Sequence, residues 1–365
     1  MKISVIAPHE LDAASCRRWL ALQDAHPALG SPCYSVEFTQ AAGHARQDVR
    51  IAVLEDEGET VGFFPFQTRW GAGQPVAGRF CDHQGVVAAA GTQWDWGELL
   101  RACRLGYWQF DHLPTWQRPP VEVVHARSPG LDLSGGFEAY RQRRAASGSK
   151  RLDKLERAAR KMARDLGPLR LELHSRDPEL FETVLRLKSE QCVRTGASDC
   201  FADPWAREFV TRIAATDNPD FGGRLSALYA GDTLVAAHFG MRSRRVYQWW
   251  FPVYNREHGA YSPGSILLMQ VAEAAAAQGH QLLDLGKGDE AYKEVFADSS
   301  VPLVEGIVSR PAAATWLRRL RKSTGAWLRT SPLAQPVRPL LHHFGRLGGA
   351  LVACPELMTL AADLG

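Results

Sequence analysis

RRVYQWWFPVYNREHGAYSPGSILLMQVAEAAAAQGHQLLDLGKGDEAYKEVF, residues 244–296, decides the fold. The run from Arg245 to Tyr254 is aromatic and β-branched and predicts a strand. A polar loop follows and ends in Ser262-Pro263-Gly264, which opens an apolar helix closed by Gly279. Gln281 to Leu285 predicts a second, buried strand. Directly after it comes the polar segment Gly286-Lys287-Gly288-Asp289-Glu290-Ala291-Tyr292-Lys293. A helix start aimed at the gap between two strands suits a phosphorylated carrier, because its first N–H groups are unpaired and carry partial positive charge.

Working outward, the chain has 365 residues, 45% hydrophobic and 23% charged, which is enough for two domains. Its formal net charge of +3 excludes a uniformly basic protein. No run approaches the roughly 20 apolar residues of a membrane span, and the N-terminus does not read as a signal peptide. The seven cysteines have no Cys-x-x-Cys spacing, so they read as free thiols and not as a zinc site. A cytoplasmic protein without a metal is the expectation.

Residues 1–140 predict a mixed α/β domain. Its hairpin is Val49–Leu54 and Thr60–Gln67 around an acidic Gly turn, followed by a helix at Gly97–Leu105 and a strand at Trp108–Leu113. The stretch RQRRAASGSKRLDKLERAARKMARDL (141–166) holds ten Lys or Arg and three acids. Apolar residues at three- and four-residue steps make it an amphipathic helix with a basic outer face, starting at Ser147-Gly148-Ser149. It reads as a linker over 141–167. Residues 168–305 repeat the first plan: strand, two helices, a hairpin across Ala230-Gly231-Asp232, then the opening cassette. Residues 306–355 hold no Asp or Glu, so 306–365 reads as a basic appendage.

The order strand–loop–helix–strand resembles the core of the GNAT acyltransferase superfamily. Arg256-Glu257-His258-Gly259-Ala260-Tyr261 fits the Arg and first Gly of that superfamily's phosphate loop and departs from it at Tyr261. The chain looks more narrowly like the CelD/BcsL type, linked with cellulose and exopolysaccharide synthesis and related to Fem-type transferases. Three features carry this over roughly residues 30–300: the basic helix with Lys150, Arg151, Arg157 and Arg160; Ser262-Pro263-Gly264; and Gly288-Asp289-Glu290-Ala291-Tyr292-Lys293. The resemblance implies tandem GNAT-like domains of class α/β (α+β), each a mixed, mostly antiparallel sheet flanked by helices. It also implies an acyl-CoA, with acetyl-CoA as the first expectation, entering between two splayed strands.

For chemistry, Tyr292 is expected as the acid that protonates a departing thiolate, by the position the resemblance implies. Asp289 and Glu290 are candidates for base or sugar binding, and Asp284 is either poised in the cleft or structurally paired. His238 is a further candidate base. Arg256, Gly259, Ser262, Gly264, Ser265 and Ile266 are candidate cofactor contacts. Tyr247, Trp249 and Lys293 are candidate substrate contacts. For Asp289, Glu290 and Lys293 a solvated helix start remains the alternative. For His238, Tyr247 and Trp249 the alternative is sheet core.

The tail carries Trp316 and Trp327 among Arg318, Arg319, Arg321 and Lys322. That composition suits an anionic membrane surface or a nucleotide second messenger equally. The leading expectation is an acyl-CoA-dependent N- or O-acyltransferase acting on a glycan, nucleotide-sugar or lipid-linked sugar. An aminoacyl-tRNA-dependent Fem-like transferase and a non-catalytic binding protein are the alternatives. Nucleic acid is not the expected partner.

Overall fold

The computed structural model describes residues 1–288 and 290–310. Thirteen strands form one sheet among them. The first half runs β1 (Lys2–Ile6), α1 (Ala13–Ala25), α2 (Val36–Ala45), β2 (Val49–Asp56), β3 (Glu59–Arg69) and β4 (Ala72–Gln74). It continues through β5 (Val87–Ala88), α3 (Trp96–Ala102), β6 (Tyr107–Pro114) and β7 (Val124–Asp132). Two connecting helices follow, α4 (Gly136–Ala146) and α5 (Arg151–Leu166). The second half runs β8 (Leu169–Glu172), α6 (Pro178–Arg194), α7 (Pro204–Ala215), β9 (Phe221–Ala230), β10 (Thr233–Ser243) and β11 (Val246–Tyr254). It ends with α8 (Pro263–Ala277), β12 (Leu282–Asp284), α9 (Ala291–Phe296) and β13 (Ser299–Ser309).

The strand order is β1-β2-β3-β4-β6-β13-β7-β12-β11-β10-β9-β8, with β5 beside β3. Inward from either end the order is the same: four strands of one half, then the strand after that half's helix. At the centre the last strand of each half crosses over. β7 pairs with β12, β13 pairs with β6, and the two pair with each other. Every neighbouring pair is antiparallel except β4–β6 and β11–β12. The duplication expected from the sequence is therefore visible in the topology, with a strand exchange that no local pattern announces. β13 also continues to Ser309, so the onset of the acid-free stretch at 306 falls inside a strand.

Both faces of the sheet are covered. In the first half Trp19 of α1 packs with Ile51 and Phe63 of the sheet, and Trp96 of α3 packs with Phe64 and Trp108 on the other face. In the second half Tyr247 and Trp249 pack under Leu267 of α8 with Tyr140 of α4 and Met162 of α5. On the opposite face Phe181 of α6 and Phe209 of α7 pack over Trp250 of β11. That last cluster joins the halves, with Phe38 of α2 edge-on to Phe209 of α7 at 5.1 Å. The basic stretch is two helices, broken at Gly148, whose φ is +77°. None of the helices among the described residues is long and apolar enough to cross a membrane.

Because β13 finishes the first half's sheet, the halves should unfold together. Leu303 is fully buried, and Leu303→Ala should cost about 2–5 kcal/mol. Urea unfolding should keep one transition; two separate transitions, with only one shifted, would contradict a shared sheet.

Candidate functional site

β11 and β12 pair only at Val246↔Leu282, Tyr247↔Leu283 and Gln248↔Asp284. β11 then runs on to Tyr254 beside β10. β12 turns away, with the Leu285 N–H donating to the Pro129 carbonyl of β7 at 2.9 Å. Gly286, at φ +72°, completes the bend. The two parallel strands thus part after Gln248 and Asp284, and the far edge of β11 from Trp249 onward has no ladder partner among the described residues. Strand pairing spends N–H and C=O groups, so this edge offers them to an extended ligand.

The helix start stands at the open end. Ser262 sits at φ +56° and its side chain does not cap α8, which corrects the expected capping role. Its carbonyl accepts from the N–H groups of Ser265 (3.0 Å) and Ile266 (3.1 Å). Of the three N–H groups expected to face a phosphate, only that of Gly264 is not spent on Ser262. A Cβ on Gly264 would lie 3.6 Å from the Tyr254 ring, and one on Gly259 3.7 Å from it, so both glycines border that half-exposed ring. Tyr261 does not plug the gap. Its hydroxyl donates to Asp165 of α5 at 2.8 Å, and the Lys161 ammonium lies 4.8 Å from its ring centroid. On the α6 side of the same open end is a cavity of about 370 Å³, bordered by Arg186, Arg194, Ala236, Tyr254 and Arg256. The corresponding helix of the first half, α3, has Asp95 capping it and Glu98 in its first turn. Those carboxylates offset the partial positive charge of that start.

At the apex the structure gathers groups from both halves. Asp284 is fully buried. Its Oδ1 accepts from Ser128 Oγ of β7 at 2.5 Å and from the Gly286 N–H at 2.8 Å. His83 Nε2 is 3.6 Å from its Oδ2. On β11, Gln248 donates to Asp82 Oδ2 at 2.9 Å. Asp82 keeps 16% of its side chain exposed. Burial raises its carboxyl to about 6; His112 opposes that shift and Asp284 reinforces it. His112 Nε2 is 3.9 Å from Asp82, and its Nδ1 is 2.9 Å from Asp111. Burial would raise Asp111, but hydrogen bonding to His112 and the charges of His112 and Lys287 hold it down at about 2. A carboxyl that titrates near neutrality in a cleft is a candidate for proton transfer.

Of the expected residues, Asp284 and Lys293 lie at this apex, while Tyr292 packs against the cluster under α8. Tyr292 is half-buried beside Trp249. Burial and then Glu290 push its hydroxyl well above the ordinary value, against a hydrogen bond with Trp249. Glu290 precedes α9. Burial would raise it, but the Lys293 hydrogen bond and charge bring it below the usual range. Asp289 lies outside the described residues, as do Arg318, Arg319, Arg321 and Lys322. Lys293 departs from the expected substrate contact. Its three ammonium protons go to Gly286 O (3.1 Å), Lys287 O (3.0 Å) and Glu290 Oε2 (2.9 Å), so it clamps the loop.

His238 is corrected as a base. It is fully buried and stacked on Trp249 at 3.9 Å. Its Nε2 accepts from the Trp250 N–H at 3.1 Å, so that lone pair is already used. Burial and then Lys188 lower it to about 3. Tyr247 and Trp249 are 1% and 3% exposed. They are core under α8, not the lining of an open acceptor cleft. Sequence reasoning missed Asp82, His83, Asp111, His112 and Ser128, all from the first half. The available signal was a repeated dipeptide, Asp82-His83 and Asp111-His112, in otherwise apolar surroundings.

Comparison with known proteins agrees with this geometry. Residues 149–294 match the model of a family described as Acetyltransferase (GNAT) domain. No curated protein matches the chain. Among solved structures, FemX superposes with a TM-score of 0.54 at 9% identity, covering 86% of this chain and 99% of its own. The C-terminal DUF2156 domain of a protein named as a lysylphosphatidylglycerol synthetase, from Agrobacterium fabrum, gives 0.53 at 12% identity, covering 87% and 96%. A conserved protein of unknown function from Bacteroides thetaiotaomicron gives 0.52 at 11% identity, covering 84% and 100%. At such identities the likeness is one of fold. Residues 149–294, from the basic helix α5 into α9, carry a GNAT-type acetyltransferase domain.

Proposed function

We propose that the chain transfers an acyl group from acyl-CoA to an amine or hydroxyl, with the reaction centred where β11 and β12 separate. The observation that carries this reading is the coincidence of that separation with Asp82, a partly exposed carboxyl raised to about 6. The residues present suit the donor: the free edge of β11 for an extended amide-bearing arm, and Gly259, Gly264 and Arg256 at its phosphate end. A bound acyl-CoA supplies the activated thioester. Asp82 Oδ takes the proton that the attacking amine or hydroxyl gives up. The Tyr292 hydroxyl, protonated throughout the working range because its value is raised, gives a proton to the sulfur when the carbon–sulfur bond breaks. Gln248 and His112 hold Asp82 in place. A glycan, nucleotide-sugar or lipid-linked acceptor and a place in exopolysaccharide synthesis are supported by the resemblance of the motifs.

A second reading, transfer from an aminoacyl-tRNA, has one observation in its favour. The basic helix α5 packs against α8 and the loop that precedes it, which puts a cationic face beside the proposed phosphate site. A steep fall of tRNA retention with salt would support it.

Three outcomes test the main reading with acetyl-CoA and a panel of amino sugars, by release of free thiol. Asp82→Asn should lower kcat about hundredfold or more. Because a base must be ionised to act, the parent rate should fall as pH drops through about 6, and the variant should lose that limb. An unchanged profile would remove Asp82 as the base. Tyr292→Phe should lower kcat with CoA affinity kept; unaltered turnover would exclude it as the acid. Gly264→Leu should weaken CoA binding about tenfold by filling the space beside the Tyr254 ring; calorimetry showing parental affinity would move the phosphate site elsewhere.

A further inference from the structure

Trp70 is 89% exposed, by far the most exposed large hydrophobic side chain among those described. It stands at the tip of the β3–β4 turn, where Trp70 and Gly71 both take positive φ, +50° and +77°. Consecutive positive φ values make the turn tight and project its side chains outward. A tryptophan in the left-handed region is a costly choice for a turn, so local backbone preference does not account for it. The Arg69 guanidinium lies 4.3 Å from the Trp70 ring centroid.

This tip belongs to a basic corner. The Gly106 N–H donates to the Gly71 carbonyl at 2.8 Å, and the Arg310 N–H donates to the Gly106 carbonyl at 2.9 Å. Arg101 lies in the last turn of the neighbouring helix α3 and Arg104 two residues beyond its end; both are exposed, and a Cβ on Gly71 would lie 3.9 Å from the Arg104 carbonyl oxygen. No ion pair engages Arg69, Arg101, Arg104 or Arg310 among the described residues. Arg310 directly follows the end of β13. The residues after it, to 355, contain no Asp or Glu but include Trp316, Trp327, Arg318, Arg319, Arg321 and Lys322. One corner therefore combines a protruding indole with four arginines that have no ion pair among the described residues.

We propose that this corner docks on an anionic lipid surface, with Trp70 inserted at the headgroup level and the arginines facing lipid phosphates. A convex tip cannot enclose a small nucleotide, whereas an extended anionic interface meets a protruding indole and scattered charges together. Tryptophan favours the membrane–water boundary, and each basic residue near an anionic leaflet adds attraction that salt screens. The surface lies in the first half, and the inference is independent of the chemistry at the β11–β12 apex.

The test is co-sedimentation of the full chain with vesicles of phosphatidylcholine and phosphatidylglycerol in equal parts, against phosphatidylcholine alone. The parent should pellet with the anionic vesicles only, and less so at high salt. Trp70→Asn keeps a residue that tolerates positive φ, so the turn should survive; it should lower partitioning about tenfold. The double change Arg69→Gln and Arg104→Gln should lower it by about fivefold or more. Acyl transfer to a soluble acceptor should be unaffected in both. A parent that stays in the supernatant with both vesicle types overturns the proposal. So does a Trp70→Asn protein that partitions like the parent, since the tail alone would then explain binding. Equal retention of parent and variants on vesicles combined with tight, salt-sensitive binding of the parent to tRNA would assign the surface to nucleic acid instead.

Discussion

Backbone pairing at the centre of the sheet is the constraint on which the rest depends. A strand with an open edge carries unpaired N–H and C=O groups that seek a partner. Here each half leaves such an edge after its post-helix strand, and the other half's last strand covers it. β7 covers β12, β13 covers β6, and the two then close against each other. The exchange makes two similar halves into one sheet. It also carries first-half side chains into the second half's site, since Ser128 reaches Asp284 only because β7 lies beside β12.

The same pairing decides where the sheet is left open. β12 is drawn toward β7 after Asp284, while β11 remains bound to β10. A parallel pair pulled from both sides must part, and it parts where polar groups cluster. Burying Asp284 fully without partners would be very unfavourable. Ser128 and the Gly286 amide supply partners to Oδ1, His83 stands 3.6 Å from Oδ2, and Lys293 closes the following loop on itself. Asp82 is different in kind. It keeps a path to solvent, its surroundings favour the protonated form, and Gln248 orients it. Two neighbouring carboxylates thus sit in different surroundings, one fully buried and hydrogen-bonded through Oδ1, the other partly exposed and raised toward neutrality.

Much of the fold was legible in local pattern. The aromatic strand now seen at Val246–Tyr254, the helix at Pro263–Ala277 and the hairpin across Gly231 follow from periodicity and turn chemistry acting within ten or fifteen residues. Tyr292 and Glu290 stood out in the sequence because they follow β12 within a few residues. His238, Tyr247 and Trp249 show the limit of that approach. Aromatic and imidazole groups alternate along buried strands as readily as along clefts, and only burial and the hydrogen bond from Trp250 tell the cases apart.

By itself, then, the sequence determined the local elements, the duplicated plan and the position of the strand–helix–strand cassette, because each depends on neighbours along the chain. Only the tertiary structure decided which strands meet at the centre, which half supplies Asp82, His112 and Ser128, and which carboxyl is raised toward neutrality. Those outcomes rest on pairings between residues more than 100 positions apart and on desolvation at a shared boundary. No short-range pattern encodes either.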